Sequence, residues 1–383
     1  EEQQPAPAPS PAAGTEAPGE KPPEAKPKEE KPKAPAGPAG EVKVGVSGFA
    51  QTDYRIGDAG EQKGAAAHEF NIRRLRLHFR RKVREKISYN VCFQGDGLNV
   101  NTGSILDASV DLSLRPLANF RVGQFKYAFD IQGLEGSAVM PFIDRPFATN
   151  AVAGSINGAS TAASPASSFR DRGLSFFGAA KPKESGFTWG YAIGIYQGSG
   201  RASDNNDQFG YMLNLNLTPV KDLVINGAFM AADNVTTDAA GDNTYQAWTF
   251  GASYEHKRVM LRGEYYQGQR DLGATSQDVS GFYVLGGFSA SPKVDVLARY
   301  QKMEDDQFTK NGKTANSVDL GLKWYLSKSG KRGGTHLALN YLARSADAGF
   351  NKGMSLLNDG RGAALTSGDF VKGVFQARLQ VQF

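Results

Sequence analysis

The segment FNIRRLRLHFRRK, residues 70–82, contains five arginines, and one short element can present four of them together. These four are Arg73, Arg74, Arg76 and Arg80. A guanidinium is permanently charged, and its planar set of N–H donors matches the oxygens of carboxylates and phosphates. The chemistry indicated is anion binding. A nucleic-acid patch, an ordinary solvated basic strand and the wall of an anion channel all fit this segment by itself, so the element that carries it must decide between them.

Other residue types that do chemistry are sparse. None of the four histidines lies near a GxSxG elbow or a recognisable Ser/His pairing, which a hydrolase would need. They are His68, His78, His256 and His336. The single cysteine, Cys92, excludes an intramolecular disulfide and CxxC metal spacing, and we expect it to be a small residue on a strand. We therefore predict no catalytic residues, no cofactor and no metal site.

The arginine segment alternates apolar and polar residues, and so does the final stretch FQARLQVQF at 375–383. In the first, Leu75, Leu77 and Phe79 occupy the phase opposite to most of the arginines, and the slip at Arg73–Arg74 predicts a β-bulge or a register shift. Period-two alternation indicates a strand with one apolar and one wet face.

Composition favours a membrane barrel over a helical membrane protein. The chain has no run of eighteen apolar residues, which excludes transmembrane helices. A mean hydropathy of -0.42, with 45 glycines and 10% aromatic residues, is compatible with a barrel because only half of each strand must be apolar.

About sixteen alternating segments follow one another from residue 42 to the end. They lie at 42–56, 69–80, 86–95, 105–115, 118–126, 171–180, 187–198, 207–218, 221–231, 244–256, 257–269, 278–290, 293–304, 315–327, 334–345 and 370–383. Short connections such as RPL (115–117) alternate with long ones such as 127–170, which is typical of the periplasmic turns and external loops of a membrane barrel and not of a soluble sandwich. We predict an all-β, transmembrane, antiparallel β-barrel of about 16 strands.

Residues 1–40 differ in character from the rest. They contain eleven of the 18 prolines among Ala, Glu and Lys, without hydrophobic periodicity, so we expect a disordered periplasmic linker before a barrel at 41–383. The linker could be a passive spacer, or it could tether the barrel to peptidoglycan or a periplasmic partner. It holds seven acids and five lysines, a net charge of −2, so the rest of the chain carries +7 and the whole chain +5. The start at Glu1 rather than methionine suggests a processed export signal.

Several motifs resemble one family. FNIRRLRL (70–77), LDASVDL (106–112), FRVGQFKYAF (120–129), FIDRPF (142–147) and FRDRGLSFFG (169–178) occur in an order similar to that of the phosphate-selective porins O and P. The resemblance implies a homotrimeric, sixteen-stranded porin of the bacterial outer membrane, surrounded by lipid and lipopolysaccharide. It also implies that the third external loop, 127–170, folds inward as a constriction loop and that lumenal Arg and Lys favour small inorganic anions, with phosphate as a candidate. The stretch ATNAVAGSINGASTAASPASS within this loop departs from the family pattern.

The candidate pore-lining and anion-binding residues come from two sources. The resemblance implies roles for Arg73 and Arg74 as the family's paired arginines, for Lys126, and for Arg170 and Arg172 at the return of the loop. Strand phase adds further lumenal cations, namely Arg76, Arg262, Lys323, Arg344 and Arg378.

Acidic residues on the same phase leave an alternative open. Asp107, Asp111, Glu264 and Asp319 would make a lumen of mixed charge, as in a general non-selective porin, although the net charge beyond the linker favours anions. A structural outer-membrane protein tethered through residues 1–40 is the third alternative. The terminal Phe383 is predicted to belong to a membrane-assembly signal, because outer-membrane proteins commonly end on an aromatic strand.

Overall fold

The computed structural model describes residues 44–57, 68–95, 104–154, 169–180, 186–198, 200, 208–233, 243–272, 276–306, 313–327, 334–347 and 373–383. The predicted linker at 1–40 and residues 155–168 of the predicted constriction loop lie outside the described residues.

The described chain consists of sixteen strands and two short helices. The strands are β1 (Gly45–Gly57), β2 (His68–Arg84), β3 (Ile87–Gly95), β4 (Ser104–Arg115), β5 (Ala118–Lys126), β6 (Arg170–Ala180), β7 (Thr188–Tyr196), β8 (Gly210–Thr218), β9 (Leu223–Asp233), β10 (Asn243–His256), β11 (Val259–Leu272), β12 (Ser276–Ser291), β13 (Val294–Asp305), β14 (Lys313–Tyr325), β15 (His336–Ala346) and β16 (Gly373–Gln382). The helices are α1 (Ile131–Leu134) and α2 (Phe147–Ala153), both between β5 and β6.

Every strand pairs antiparallel with its neighbours in the chain, and β1 pairs with β16, so the sheet closes into a barrel. The closing seam places Asp53 opposite Arg378. Beyond it, the backbone of Phe383 exchanges hydrogen bonds with Gly48 at 2.9 and 3.1 Å. Closure leaves no strand edge unpaired in the membrane. The predicted sixteen-stranded antiparallel barrel is confirmed.

The two faces of the strands differ as the alternation predicts. On β14, Val318 and Leu320 are exposed on the outer surface, whereas Asp319 and Lys323 are buried on the lumenal side. An outward apolar face suits lipid, and an inward polar face suits a lumen. Among the described residues, no helix has the length and apolarity to cross a bilayer.

The predicted bulge in the arginine strand is present. The pairing of β1 with β2 runs from Gln51 opposite Arg74 to Thr52 opposite Ile72, so Arg73 is the extra residue. A bulge allows two successive side chains to approach the same side of a sheet, because it interrupts the alternation.

The described part of the connection between β5 and β6 lies inside the barrel. Its Tyr127, Phe129 and Val152 join one buried cluster with wall residues such as Tyr245 and Met303. The helix α2 packs against β11, β12 and β13. The bore is therefore partly filled by its own loop, and this loop defines the level of the candidate site.

Candidate functional site

One side of the loop is held by hydrogen bonds from lumenal side chains to loop carbonyl oxygens, at 2.8–3.1 Å. The donors and acceptors are Gln51 to Ser137, Gln380 to Ala138, Lys323 to Met140, Arg378 to Ile143 and Arg299 to Asp144. These donors come from β1, β13, β14 and β16, so this half of the wall fixes an irregular backbone that would otherwise leave buried carbonyls unpaired.

The other side is held by a carboxylate of β11. The backbone N–H groups of Ile131 and Gln132 donate to Glu264 at 2.7 and 3.0 Å, and the Tyr283 hydroxyl donates to the same carboxylate at 2.5 Å. Glu264 is buried because the start of α1 covers it on the lumenal side.

A second loop carboxylate lies beside this anchor. The Tyr266 hydroxyl is 2.8 Å from Asp130 Oδ2 and 3.0 Å from Glu264 Oε2. Burial raises the pKa of Asp130 above its ordinary value, although hydrogen bonds from Tyr266 and from the Gly133 backbone act in the opposite direction. These acids contact the loop rather than the open lumen.

The helix α2 has its own anchors on the wall. The Phe147 N–H donates to Gln301 Oε1 at 2.7 Å, and the Tyr245 hydroxyl donates to the Val152 carbonyl at 2.9 Å. Hydrogen bonds at both ends hold this segment against β10 and β13, so the loop is fixed across the bore rather than along one wall.

Asp144, near the middle of the described loop, is surrounded by cations. Arg55 lies 3.2 Å from its carboxylate, and the Gln376 amide donates to it at 2.7 Å. Burial acts to raise the pKa of Asp144, but Arg55, Arg73, the Gln376 hydrogen bond and Arg378 outweigh it and hold the pKa below the ordinary value. A loop carboxylate therefore occupies a place where wall arginines favour a negative charge.

The predicted arginine strand faces the same region. Arg74 donates to Gln51 at 3.2 Å, and Arg76 donates to Gln94 at 2.6 Å; both arginines are buried. Arg73 is partly exposed, and its Nε has no hydrogen-bond partner among the described residues. The bulge residue is thus partly exposed and keeps one buried N–H donor without a partner in the described part of the chain.

Three further predicted cations hold the loop. Lys126 donates to the Glu135 carbonyl at 2.8 Å, Arg262 pairs with the Glu135 carboxylate at 2.9 Å, and Lys323 donates to the Met140 carbonyl at 2.8 Å. The sequence places all three near the lumen, but it does not reveal that their partners are loop atoms. Their positive charge remains, whereas many of their hydrogen-bond donors are already used.

Two predicted arginines are in bidentate ion pairs within the wall. Arg170 contacts Asp107 at 2.6 and 3.3 Å, and Arg378 contacts Asp53 at 2.6 and 2.7 Å. All four side chains are buried. These pairs are close to neutral units, so they contribute less field to the lumen than the sequence suggests.

Arg172 differs from its prediction as a lumenal residue. It is exposed and shares its strand phase with exposed Leu174, whereas the alternate phase carries lumenal Ser175. Alternation along β6 therefore directs Arg172 away from the bore, and we remove it from the candidate set.

Sequence reasoning missed two arginines that contact the loop or belong to it. Arg55 pairs with Asp144, and its signal was the lumenal phase that it shares with Asp53 on the first strand. Arg145 lies in the loop itself and donates to the carbonyls of Gln132 and Glu135 at 3.2 and 2.8 Å, while burial lowers its pKa to about 10. No periodicity could place this second arginine, because its neighbours come from the fold of the loop.

At the level of the loop, the partly exposed cations and the partly exposed acids differ in whether they have an ion-pair partner. Arg73, Lys126 and Arg344 are partly exposed and have no carboxylate within ion-pair distance in the described part of the chain. The partly exposed carboxylates near the loop, Asp144 and Glu135, are each paired with an arginine. The accessible lumen at this level is therefore positive.

Space remains beside the loop. A cavity of about 360 Å³ lies against β5 to β8, with Arg121, Phe125, Lys126, Tyr196 and Asn214 among its lining residues. It shows that water-sized space extends along this wall next to the loop.

The comparisons with known proteins agree with this architecture. A family model described as phosphate-selective porin O and P matches residues 44–352. No curated protein sequence matches the chain.

Among similar solved structures, the anion-selective porin from Comamonas acidovorans has 15% identity and a TM-score of 0.62, covering 89% of this chain and 99% of its own. Salmonella typhi OmpF in complex with daunomycin has 12% identity, a TM-score of 0.62 and coverages of 89% and 97%. Vibrio cholerae OmpT in its trimer form has 13% identity, a TM-score of 0.60 and coverages of 89% and 99%. At these identities the structures establish the shared fold alone.

Proposed function

The chain belongs to the phosphate-selective porin O and P family, and we propose that it forms a water-filled diffusion channel selective for small hydrophilic anions. It is an outer-membrane porin of bacteria. The family and the barrel indicate a channel rather than an enzyme.

Anion preference is supported by the unequal charge of the accessible lumen. Arg73, Lys126 and Arg344 face water without a described carboxylate partner, while the partly exposed loop acids are neutralised by arginine. Fixed charges of one sign in a narrow, low-dielectric bore raise the local concentration of the opposite ion. The Comamonas acidovorans porin, which is described as anion-selective, has a similar fold.

Phosphate preference is a further step, and it is supported by the arginines around Asp144. Arg55, Arg73 and Arg378 stabilise one negative charge at that place, and guanidinium groups match phosphate oxygens as well as carboxylate oxygens. In the proposed mechanism an anion enters between the external loops, loses part of its hydration at the constriction loop and passes along the lumenal cations.

A general porin with a transverse field is the second candidate. Glu264 lies on β11 with the loop residue Asp130 beside it. Arg74 and Arg76 lie on β2, at the opposite side of the sixteen-stranded ring. Such a separation of positive and negative side chains creates a field across the bore, which is the arrangement expected of a general, non-selective porin. We favour the anion channel because the loop covers both acids from lumenal water.

We also propose a homotrimer, supported by the trimer form of the similarly folded Vibrio cholerae protein. Contacts with outer-membrane lipid and lipopolysaccharide also remain a proposal. So does a spacer or tether role for residues 1–40, which lie outside the described part of the chain.

Chloride current through planar bilayers, with phosphate added to one side, tests the phosphate step. We expect a saturable reduction of chloride current, because phosphate occupies the arginine-lined constriction for longer than chloride. An anion-selective current that phosphate leaves unchanged would contradict the phosphate preference and leave the anion channel intact.

A further inference from the structure

Three side chains of different chemistry meet on three adjacent strands. His78 on β2 is directly opposite Cys92 on β3, and Cys92 is directly opposite Asp107 on β4. All three occupy the lumenal phase of their strands, since Leu77 and Phe93, on the alternate phase, lie on the outer face. The imidazole, thiol and carboxylate ligand atoms all lie within 4.8 Å of one another.

The distances match those needed for a metal ion of intermediate softness. The Cys92 Sγ and His78 Nε2 atoms are 3.6 Å apart. With Zn–S of about 2.3 Å and Zn–N of about 2.0–2.1 Å, a tetrahedral zinc ion separates such ligands by about 3.6 Å. Two of the ligands are therefore already spaced for coordination.

The carboxylate needs a small movement. Arg170 holds Asp107 Oδ1 at 2.6 Å but Oδ2 only at 3.3 Å. The more loosely held oxygen can turn toward the other two donors while the first keeps its ion pair. Arg170 then orients the Asp107 carboxylate, as residues just outside the ligand shell commonly orient a metal ligand.

We propose that His78, Cys92 and Asp107 form a binding site for a divalent cation of the zinc class in the lumenal wall. Sulfur, nitrogen and oxygen donors together suit zinc or cobalt better than calcium or magnesium, which prefer oxygen ligands alone. Binding displaces the thiol proton of Cys92 to lumenal water, and a water molecule completes the tetrahedron from the lumenal side, where His78 is partly exposed.

Nearby cations oppose this site and supply a directional test. Arg80 NH2 lies 3.4 Å from His78 Nδ1. A metal on Nε2 requires a proton on Nδ1, so the Arg80 guanidinium must turn away for the metal to bind. Arg80 is exposed and also donates to Asn90, so it can move without disturbing the core.

Titration of the purified, detergent-solubilised full chain with Co²⁺ alone tests the proposal. We expect a sulfur-to-cobalt charge-transfer absorption together with the intense visible bands of tetrahedral cobalt, both displaced by Zn²⁺. Cys92→Ser should abolish the charge-transfer band. His78→Gln removes a direct ligand and should weaken Co²⁺ binding by more than the roughly 10–100-fold that loss of an outer partner typically costs. Arg80→Gln should tighten it several-fold.

His256→Gln is the matched control, because this histidine pairs with Asp222 at a turn far from the site and should leave the spectrum unchanged. Retention of the folded, heat-modifiable barrel on gels identifies variants that can be compared. The proposal is overturned if the folded wild-type chain shows no sulfur-to-cobalt band, or if folded His78→Gln gives the wild-type spectrum and affinity.

Discussion

At the scale of single residues, the lumenal cations divide into two groups. Lys323 and Arg262 hold the loop, whereas Arg73 and Arg344 keep access to water. The distinction follows from the partner of each side chain and not from its charge. Anion selectivity should therefore depend most on the second group.

Reversing the charge of the bulge arginine tests this division. Arg73→Glu should lower the anion-to-cation permeability ratio by about tenfold, because two charge units at about 6 Å are worth about 1.4 kcal/mol even in a water-like dielectric. The reversal potential in a salt gradient measures the ratio. Arg258→Glu, the same change at an exposed turn, is the control. An equal shift in both variants would contradict a specific lumenal role for Arg73.

Removing the internal carboxylate should have the opposite effect. Asp144→Asn deletes the negative charge that is paired with Arg55, so anion preference should rise and phosphate should block chloride current at lower concentration. Bilayer recordings at pH 7 measure both quantities. A shift toward cations would show that Asp144 does not compete with the permeating anion.

The pKa of Asp144 gives this idea a pH dependence. Arginines and a hydrogen bond lower that pKa against the effect of burial, so Asp144 is ionised at pH 7 and remains so at pH 5. Its ion pair is present above the ordinary carboxyl pKa of about 3.9 and is lost only as the pH falls through the lower folded value. We expect no Asp144-dependent change in reversal potential between pH 7 and pH 5, measured as the difference between wild type and Asp144→Asn. A difference that varies across this interval would contradict the lowered pKa.

The site was only partly predictable at this scale. The alternation of apolar and polar residues alone placed Arg76, Arg262 and Arg378 on the lumenal face of the wall. This is possible because the two faces of a strand can be read from its own sequence, without knowledge of its neighbours. The same logic could not show that Arg378 is bound to Asp53, which lies across the barrel seam. The family resemblance, and not strand phase, placed Arg172 at the return of the loop as a lumenal residue, whereas the alternation of β6 directs it outward.

At the scale of elements, the loop is the part that converts a wide barrel into a constricted one. It is irregular backbone inside a membrane-spanning structure, and such backbone persists only where its polar groups are satisfied. The anchors at Glu264 and along β14 to β16 meet this need from two sides.

Loss of the Glu264 anchor should loosen the loop. Glu264→Ala leaves the N–H groups of Ile131 and Gln132 without their acceptor, at a cost of about 1–3 kcal/mol for each buried group. Single-channel recordings should show larger current fluctuations. Glu264→Gln keeps an acceptor oxygen and should change the current less. Equally quiet recordings from the alanine variant would contradict the anchoring role.

Gly123 is a point where β5 tolerates no side chain. Its φ is +121°, and a Cβ there would lie 2.1 Å from the Ala108 carbonyl oxygen. Gly123→Ala should therefore reduce the yield of folded, heat-modifiable barrel, whereas Gly286→Ala, whose Cβ would meet nothing closer than 4.0 Å, should fold normally. Normal folding of the first variant would contradict the close strand contact.

The strands themselves were largely predictable, because alternation and loop length both carry information about a barrel. The arginine strand was predicted to end at residue 80 but continues to Arg84, since pairing with β3 extends through the charged segment. The contacts of the loop were not predictable, because residues far apart in the chain meet there only after the barrel has closed.

At the scale of the whole molecule, a channel across the outer membrane requires a closed wall with its apolar side outward. Leu320 and Trp324 illustrate that side, and Asp319 and Lys323 of the same strand illustrate the other. The family match and the similar solved porins fit this arrangement. The metal site proposed at His78, Cys92 and Asp107 would add charge to the same lumenal wall without altering the barrel.

The sign of the reversal potential of the wild-type channel in a KCl gradient decides between an anion-selective and a cation-selective lumen. The positive accessible lumen predicts a potential of the sign expected when chloride is more permeant than potassium, and a decrease in its magnitude at high salt, where the fixed charges are screened. A potential of the opposite sign would contradict the proposed anion channel.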